Sequence, residues 1–569
     1  MKYLYHKTST IVLCSTFVVA LLLSILAIIS PDPENRNDWF SAERAYSHLE
    51  VIAQKQHSVF DLNEIENVRN YLEKTINAFE NVKWTRVRHH QIEVFNKIRE
   101  RELIDVNNIY AEIPGTSGQY MLIMAHFDSC PYKQKYNVST EGSYGAADDG
   151  YGVATMLEIM RLLNDYATEN HLVNGVKFAF TDAEEVALGG AAALVKEYAH
   201  WLSDVNIVLN LEARGNKGPL YMFQTSDKNY KLIDFYSRSS LPFSFSVAAE
   251  VYKYLPNNTD FTPFLKAGYV GLNFSTLNSL KYYHTPDDNL DNASKVTLQF
   301  YGKQVYPLVR EYINKERYNA PDCFVSNSNA VFFTLFPGFF IYYSETLSWF
   351  FVAIATLSVV VVAYFAIRKR VVSWTKTLLA LGVWMGYLLA AAVAGLLLAM
   401  FTGFVTGNTF DMMYMPYVPF DLGLVIIFAA LVLVMGFFAA KLCQKLKCSF
   451  SETFGGSVLL MILLNSVFSF LLHGGTYLFV WPAIFMLCIL TVNLFFQSHK
   501  RSWVIGRHVL HTFAVMLTSI VYITLIYSLF LALSFGALLI VLLFTALLGC
   551  VLAPCGLSQI LRSEIIQKV

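Results

Sequence analysis

The chain has 569 residues, of which 55% are hydrophobic and 15% are charged, and its formal net charge is zero. This length exceeds that of one ordinary domain, so we expect at least two structural units. A net charge of zero argues against a nucleic-acid partner, because no broad basic surface is implied. Polar residues concentrate in residues 32–322 and long apolar runs dominate from about Val331 onward, which predicts a globular part followed by a lipid-embedded part.

The first apolar run, residues 11–29, is long enough to cross a bilayer of about 30 Å as a helix. It follows Lys2 and Lys7 and ends at Ser-Pro-Asp-Pro, without a clear small-residue cleavage site. We predict a retained membrane anchor over residues 1–31, with a cleaved signal peptide as the alternative.

Between the anchor and residue 330, two periodicities alternate. The helical pattern predicts helices over residues 39–54, 62–79, 152–164 and 189–200. The strand pattern predicts strands over residues 83–95, 109–113, 120–125, 176–181 and 205–211. Alternation of this kind predicts an α/β domain over residues 32–330, with a mixed, largely parallel sheet flanked by helices. In such sheets, ligands bind at the carboxyl ends of the strands.

Residues 331–345 form an aromatic segment between the two parts of the chain. Its ring density is typical of a membrane interface, where amphipathic rings lie at headgroup depth. The alternative is that it forms the last strand of the preceding domain.

Seven further apolar runs predict an all-α polytopic transmembrane domain over residues 346–569. The runs cover residues 346–367, 375–399, 418–440, 455–472, 477–496, 509–531 and 537–552. Lys and Arg residues concentrate in alternate loops, and the positive-inside rule places those loops in the cytoplasm. With the anchor, this gives eight spans, cytoplasmic N- and C-termini and an extracytoplasmic globular domain. Few ionisable residues fall within the spans, which favours anchoring or partner contact over transport.

Five short polar segments lie at predicted strand ends or in the loops that follow them. They are Ala-His-Phe-Asp-Ser at 125–129, Asp-Asp-Gly at 148–150, Asp-Ala-Glu-Glu at 182–185, Asn-Leu-Glu at 210–212 and Tyr-His-Thr-Pro-Asp-Asp at 283–288. Each segment alone has an ordinary explanation as a turn, a cap or a surface pair. Together they bring two histidines and several carboxylates to one edge of a sheet, and these are ligands that zinc prefers.

This series of segments resembles the family-28 zinc metallopeptidases, which include secreted aminopeptidases, glutamate carboxypeptidase II and glutaminyl cyclases. Within that family it is similar to the membrane branch of the endoplasmic-reticulum metallopeptidase and the vacuolar membrane protease. That branch carries one span before the peptidase domain and several after it. The resemblance implies a membrane-bound exopeptidase with two zinc ions per chain, an aminopeptidase that acts on peptides outside the cytoplasm.

The resemblance also implies a role for each matching ligand. His126 and Glu212 would bind one zinc ion, and Glu185 and His284 would bind the other. Asp148, the first carboxylate of its pair, would bridge the two ions.

Four more residues receive roles around those ligands. Glu184 matches the general base of the family, and Asp128 matches the residue that orients the first histidine. Arg214 and Tyr283 lie beside ligands in the sequence and are candidates for binding the peptide substrate. A surface ion pair is the alternative for Arg214.

Two other readings stay open. One is carboxypeptidase or glutaminyl cyclase chemistry on the same fold, and cyclases typically hold a single zinc ion. The other is a non-catalytic peptidase-like domain on a membrane scaffold or transporter. The sequence indicates neither the oligomeric state nor the host membrane, which would be a bacterial cell membrane or an endoplasmic-reticulum or vacuolar membrane. It also leaves open whether Cys130 and Cys323 pair.

Overall fold

The computed structural model describes residues 18–19, 21–22, 37–95, 100–131, 142–255, 257–336, 338–407, 418, 420–495 and 501–566. The chain divides into two compact units. One is Ile28–Tyr342, and the other combines Met1–Ala27 with Tyr343–Val569. Apart from four residues, the predicted anchor over residues 1–31 lies outside the described residues.

The first unit is built on a seven-stranded sheet with the order β1-β2-β4-β3-β5-β7-β6. Its strands are β1 (Lys83–Phe95), β2 (Arg101–Ile113), β3 (Tyr120–His126), β4 (Gly175–Thr181), β5 (Val205–Ala213), β6 (Lys217–Thr225) and β7 (Gly271–Asn278). The four central strands β4, β3, β5 and β7 are parallel, and the outer strands pair antiparallel. The predicted mixed, largely parallel sheet is therefore confirmed.

Eight helices accompany the sheet in the described part of this unit. They are α1 (Ala42–Ile52), α2 (Leu62–Asn77), α3 (Gly150–Glu169), α4 (Gly189–Glu197), α5 (Tyr230–Tyr236), α6 (Ser246–Tyr252), α7 (Phe261–Lys266) and α8 (Lys295–Ile313). Strand β3 is buried along its whole length. Ile123 and Ala125 pack into the core that contains α1, α3 and α8, whereas Leu122 and Met124 pack against α4 and α7. Helices thus cover both faces, which explains the continuous apolar run of this strand.

Strand β7 is absent from the sequence-based prediction because polar residues interrupt its apolar pattern. Asn273 is fully buried in this strand. Its amide donates to Oε1 of Gln224 over 2.9 Å, and its carbonyl accepts from Nδ2 of Asn210 over 2.9 Å. Side-chain hydrogen bonds between strands therefore stabilise a buried polar row that periodicity alone does not reveal.

The aromatic segment contains two strands, β8 (Ala330–Phe336) and β9 (Phe339–Ser344), which pair with each other. The backbone N–H of Phe332 donates to the hydroxyl of Ser246 over 3.0 Å, and the hydroxyl of Thr334 donates to the carbonyl of Pro242 over 3.0 Å. Strand β8 thus belongs to the first unit. A position at the membrane interface stays a prediction.

The second unit consists of long apolar helices. They are α9 (Glu345–Arg368), α10 (Trp374–Val405), α11 (Asp421–Lys445), α12 (Phe450–Leu471), α13 (Tyr477–Phe495), α14 (Arg501–Leu533) and α15 (Leu538–Ile566). Six helical segments of the described residues are long and apolar enough to cross a membrane, and the sixth, Val509–Pro554, includes parts of both α14 and α15. The rings of Tyr522 and Phe544 lie 6.3 Å apart, so these two helices pack side by side. The predicted all-α polytopic architecture is confirmed, whereas the number of seven spans stays a prediction.

Small residues and buried hydrogen bonds hold these helices together. A Cβ at Gly395 would lie 2.7 Å from Cα of Leu539, so α10 and α15 approach closely at this glycine. The indole N–H of Trp384 donates to the carbonyl of Thr453 over 3.0 Å. Packing and hydrogen bonding therefore supply the association that the hydrophobic effect does not supply within lipid.

Gly302→Ala should destabilise the first unit. A Cβ at Gly302 in α8 would lie 1.9 Å from Cδ1 of Phe40, whose ring is fully buried. Overpacking costs about 1–3 kcal/mol, which outweighs a helix-propensity gain of about 1 kcal/mol. Thermal unfolding of the full-length protein in detergent should show a lower Tm. Gly382→Ala is the control, because a Cβ at that helical glycine meets nothing within 4 Å. An unchanged or higher Tm for Gly302→Ala would contradict this packing.

Candidate metal centre

The carboxyl ends of the parallel strands deliver the predicted site residues to one edge of the sheet. His126 is the last residue of β3, and it pairs in register with Thr181, the last residue of β4. Glu212 lies near the end of β5, and His284 lies in the loop after β7. Asp148 directly precedes Asp149, whose carboxylate caps α3 by accepting from the N–H of Gly152 over 3.1 Å. The sheet therefore gathers residues that are distant in the sequence.

The carboxylate of Asp148 lies between the two histidines. Its Oδ1 is 3.4 Å from Nε2 of His126, and its Oδ2 is 3.1 Å from Nε2 of His284. Oε2 of Glu212 is 3.7 Å from the first imidazole, and Oε2 of Glu185 is 3.0 Å from the second. Two groups of nitrogen and oxygen donors thus share one carboxylate.

The tautomer of His126 suits a metal ligand. Nδ1 lies 3.0 Å from the main-chain carbonyl of Asp128, which makes Nδ1 the donor in the neutral ring and leaves a lone pair on Nε2. Nε2 is buried and makes no hydrogen bond, although carboxylate oxygens surround it. Imidazole nitrogen and carboxylate oxygen are the donors that zinc takes in catalytic sites. These residues therefore fit zinc.

Asp128 joins the end of β3 to the loop after β4. Its Oδ1 accepts from the backbone N–H of Glu184 over 3.0 Å, and its Oδ2 accepts from that of Glu185 over 3.3 Å. The same Oδ1 lies 3.5 Å from Nδ1 of His126, farther than the Asp128 carbonyl. Asp128 therefore contacts His126 through its main chain and positions the two glutamates through its side chain.

Asp288 holds the segment that carries Asp148, and the sequence analysis assigned it no role. Its carboxylate accepts hydrogen bonds from the backbone N–H groups of Ala147 and Asp148, over 2.8 and 3.2 Å, and from the hydroxyl of Ser143 over 3.1 Å. The amide of Asn216 donates to it as well, over 2.8 Å. The only sign of Asp288 in the sequence is its position four residues after His284. That position does not show that its carboxylate contacts the loop that carries Asp148.

Burial and like charges dominate the electrostatics of the site. Burial, together with Glu212, raises the pKa of Glu184 well above its ordinary value, and burial with Asp148 does the same for the pKa of Glu185. Burial also raises the pKa of Glu212 to about 8. Without a cation, burial therefore favours the protonated forms of these carboxyl groups.

The pKa shifts of Asp148 and His284 favour the charged forms of both groups. Burial alone would raise the pKa of Asp148, but the nearby imidazoles of His126 and His284 lower it. Burial alone would lower the pKa of His284, but Cys130 and Asp148 raise it to about 10. The Asp148 carboxylate is therefore ionised between two imidazoles, where a cation can replace their protons.

The remaining predicted residues lie around these donors. Glu184 offers a carboxylate oxygen within 4.8 Å of ligand atoms of His126 and Glu185. The ring of Tyr283 stacks on that of His284 with centroids 3.7 Å apart, and Cζ of Arg214 lies 5.8 Å from the Tyr283 ring centroid. The structure thus brings all nine predicted residues to one region, and their roles stay predictions.

Two further features of the sequence are resolved here. Cys130 and Cys323 do not form a disulfide with each other. Asp260 lies at the start of α7, and its carboxylate accepts a hydrogen bond from the hydroxyl of Thr181.

Comparison with known families agrees with this geometry. Residues 108–309 match the sequence profile of peptidase family M28. The resemblance to the family-28 metallopeptidases is therefore confirmed over these residues, and the apolar helices indicate a multi-pass membrane protein.

Curated relatives include vacuolar membrane proteases of yeasts. The protein of Candida glabrata is 30% identical over 318 residues, which cover 52% of this chain and 31% of that protein. The protein of Clavispora lusitaniae is 28% identical over 313 residues, which cover 51% of this chain and 28% of that protein. The chain thus spans less than a third of the length of these relatives.

Two solved structures are similar to part of this chain. The glutaminyl cyclase of Porphyromonas gingivalis is 21% identical, with a TM-score of 0.38, and covers 48% of this chain and 99% of its own. A Zn-dependent exopeptidase of Parabacteroides distasonis is 18% identical, with a TM-score of 0.38, and covers 49% of this chain and 99% of its own.

Asp288→Asn should weaken metal binding, because it weakens the acceptor that holds the backbone of Ala147 and Asp148. Loss of such a supporting contact typically lowers metal affinity about 10- to 100-fold. Titration with a chelator should therefore strip metal from Asp288→Asn at lower chelator concentration than from the wild type. Asp287→Asn is the matched control, because Asp287 adjoins Asp288 in the sequence and its side chain is exposed. Equal retention in both variants would contradict the role of Asp288.

Metal affinity should fall as the pH falls. Burial raises the pKa values of Glu184, Glu185 and Glu212 in the metal-free protein, so protons and metal compete for the same oxygens. Affinity should decrease about tenfold per pH unit for each proton displaced. Calorimetric titration in buffers of different ionisation enthalpy measures this release. Affinity that stays constant between about pH 8 and about pH 6, without proton release, would contradict the competition.

Proposed function

We propose that this chain is a membrane-bound exopeptidase with two zinc ions, an aminopeptidase that hydrolyses N-terminal residues of peptides. The observation that carries the proposal is the position of Asp148, whose two oxygens each face a different imidazole. One carboxylate with a histidine on each side is the arrangement that a two-metal site requires. The aminopeptidase reaction itself comes from the resemblance of the five motifs to their family.

The donor groups divide into two positions. His126 and Glu212 would hold one zinc ion, Glu185 and His284 would hold the other, and Asp148 would contribute one oxygen to each. When bound, zinc ions polarise the scissile carbonyl and lower the pKa of an attacking water towards about 7.

Glu184 is proposed as the general base, and its neighbour as a ligand. Oε2 of Glu185 lies 3.0 Å from Nε2 of His284, so Glu185 belongs to the donor group around His284. The backbone of Glu184 is fixed by Asp128, and its carboxylate remains in reach of His126. Glu184 would take a proton from the attacking water and deliver it to the leaving amine. The raised pKa of Glu184 favours the first half of this transfer, because the conjugate base of a weaker carboxylic acid is the stronger proton acceptor.

The peptide substrate would meet Tyr283 and Arg214 beside the His284 group. The ring of Tyr283 stacks on the imidazole of His284, which is the proposed ligand. The guanidinium of Arg214 lies near the Tyr283 ring. A phenol and a guanidinium are donors, so they suit the carbonyl oxygens of a bound peptide.

We also propose the arrangement of the chain in its membrane. Residues 1–31 anchor the chain, residues 32–330 form the extracytoplasmic zinc peptidase domain, residues 331–345 lie at the interface, and residues 346–569 form seven spans with a short cytoplasmic tail. Basic residues in alternate loops support this orientation. The helices would anchor the peptidase in the bilayer or contact partners.

Epitope tags inserted after Gly118 and after Arg370 should lie on opposite sides of the membrane. Gly118 has a positive φ of 74° with open space around it, so a tag there should not disturb the first unit. In sealed vesicles of known orientation, antibody should reach the Gly118 tag from the extracytoplasmic face. The Arg370 tag should require permeabilisation. Detection of both tags on one side would refute the topology.

Glu184→Gln should lose turnover while keeping its metal. Loss of general-base catalysis typically costs about 10²- to 10⁴-fold in rate. The measurement pairs metal content with hydrolysis of a panel of aminoacyl-arylamides by purified full-length protein. Glu80→Gln, at an exposed turn, is the control and should retain wild-type activity.

The outcomes separate the competing functions. About two zinc ions per chain with release of the arylamine, dependent on Glu184, supports the aminopeptidase. One zinc ion without release favours cyclase chemistry, and release from carboxyl-terminal substrates alone favours a carboxypeptidase. Near-normal turnover of metal-loaded Glu184→Gln would make the assignment of the base wrong. A protein without bound metal would move the search for function to the membrane helices.

A further inference from the structure

A cysteine lies next to the second group of metal donors. Cys130 follows Asp128 by two residues and is fully buried. Its Sγ, a carboxylate oxygen of Glu185 and a ring nitrogen of His284 all lie within 4.8 Å of one another. The Cys130 side chain is also a hydrogen-bond partner of the His284 imidazole.

The backbone around Cys130 is fixed on both sides. Its carbonyl accepts from the N–H of Ser143 over 2.8 Å, and the hydroxyl of Ser143 donates to Asp288 over 3.1 Å. The preceding residue, Ser129, accepts through its hydroxyl from the N–H of His57 over 3.0 Å. The thiol is thus positioned by the same network that positions Asp148.

A buried free cysteine usually behaves as a small apolar residue. Cys443 in the second unit is of this kind, since it packs in an apolar cluster with Ala380 and Cys448. Cys130 differs because its sulfur faces an imidazole and a carboxylate. Thiolate sulfur is itself one of the strongest zinc donors in proteins.

We propose that the thiolate of Cys130 is an additional protein ligand of the cation held by His284, Glu185 and Asp148. This inference rests on the proposed metal centre. On binding, the thiol loses its proton to solvent and the sulfur takes up the metal.

The proposal makes the two metal positions unequal. With Cys130, the His284 position has four protein donors, which is the closed number typical of a structural zinc site. The His126 position has three, His126, Asp148 and Glu212, and keeps one place open for water or substrate. A thiolate also makes the His284 position softer, so it should favour zinc or cadmium over manganese or magnesium.

Cobalt substitution tests the proposal through absorption rather than activity. Full-length wild-type protein loaded with Co²⁺ should show a near-ultraviolet thiolate-to-cobalt charge-transfer band besides the weaker visible bands of bound cobalt. Cys130→Ser and Cys130→Val should lose the charge-transfer band and keep visible bands. Cys323→Ser, which removes the other cysteine of the first unit, should keep both. Cadmium affinity should fall at least about tenfold in the Cys130 variants and not in Cys323→Ser.

Each contrary result has a distinct meaning. Visible cobalt bands in the wild type without a charge-transfer band would overturn the Cys130 ligand and leave the metal centre intact. Loss of the band in Cys323→Ser, or its persistence in Cys130→Val, would also overturn it. A wild-type protein that binds no cobalt and no zinc would overturn the metal centre itself, and the Cys130 ligand with it.

Discussion

One carboxylate shared between two imidazoles is the constraint on which the site depends. Asp148 can face both His126 and His284 only because parallel strands end at one edge of the sheet and because Asp288 holds the backbone of Asp148 there. Other carboxylates are buried around this pair, and burial, together with the charges of Asp260 and Asp148, raises the pKa of Glu212. Such a cluster is costly in a protein interior unless protons or cations neutralise it. The arrangement of the donors and the cost of burying their charges therefore both favour a bound cation.

Much of the first unit follows from local sequence pattern. Strand β3 is predictable because an apolar run ends abruptly at His126, and the turn before α3 is predictable because acidic and glycine residues meet there. Strand β7 is not, because the burial of Asn273 depends on partners in other strands. The same reason hides Asp288 and Cys130, whose importance lies in contacts with distant loops. Sequence identifies the donors, whereas tertiary structure identifies what positions them.

The membrane unit shows a different limit of sequence reasoning. Hydropathy identifies the apolar runs, and the division between residues 531 and 537 coincides with the turn Ser534–Ala537 that separates α14 from α15, but hydropathy does not show how the helices associate. Contacts such as that of Gly395 with Leu539 define how the helices associate, and these contacts depend on the absence of a side chain. Small residues of this kind specify packing without changing mean hydropathy. The two units thus differ in what stabilises them, an apolar core with a polar edge in one and close helix packing in the other.

The central claim is that two metal ions lie on opposite sides of Asp148. Anomalous diffraction at the zinc absorption edge, from crystals of the full-length protein grown with zinc, tests it most directly. The account predicts two peaks about 3.5–4 Å apart, one beside His126 and one beside His284, with the Asp148 carboxylate between them. A single peak, or two peaks that do not share Asp148, would contradict it.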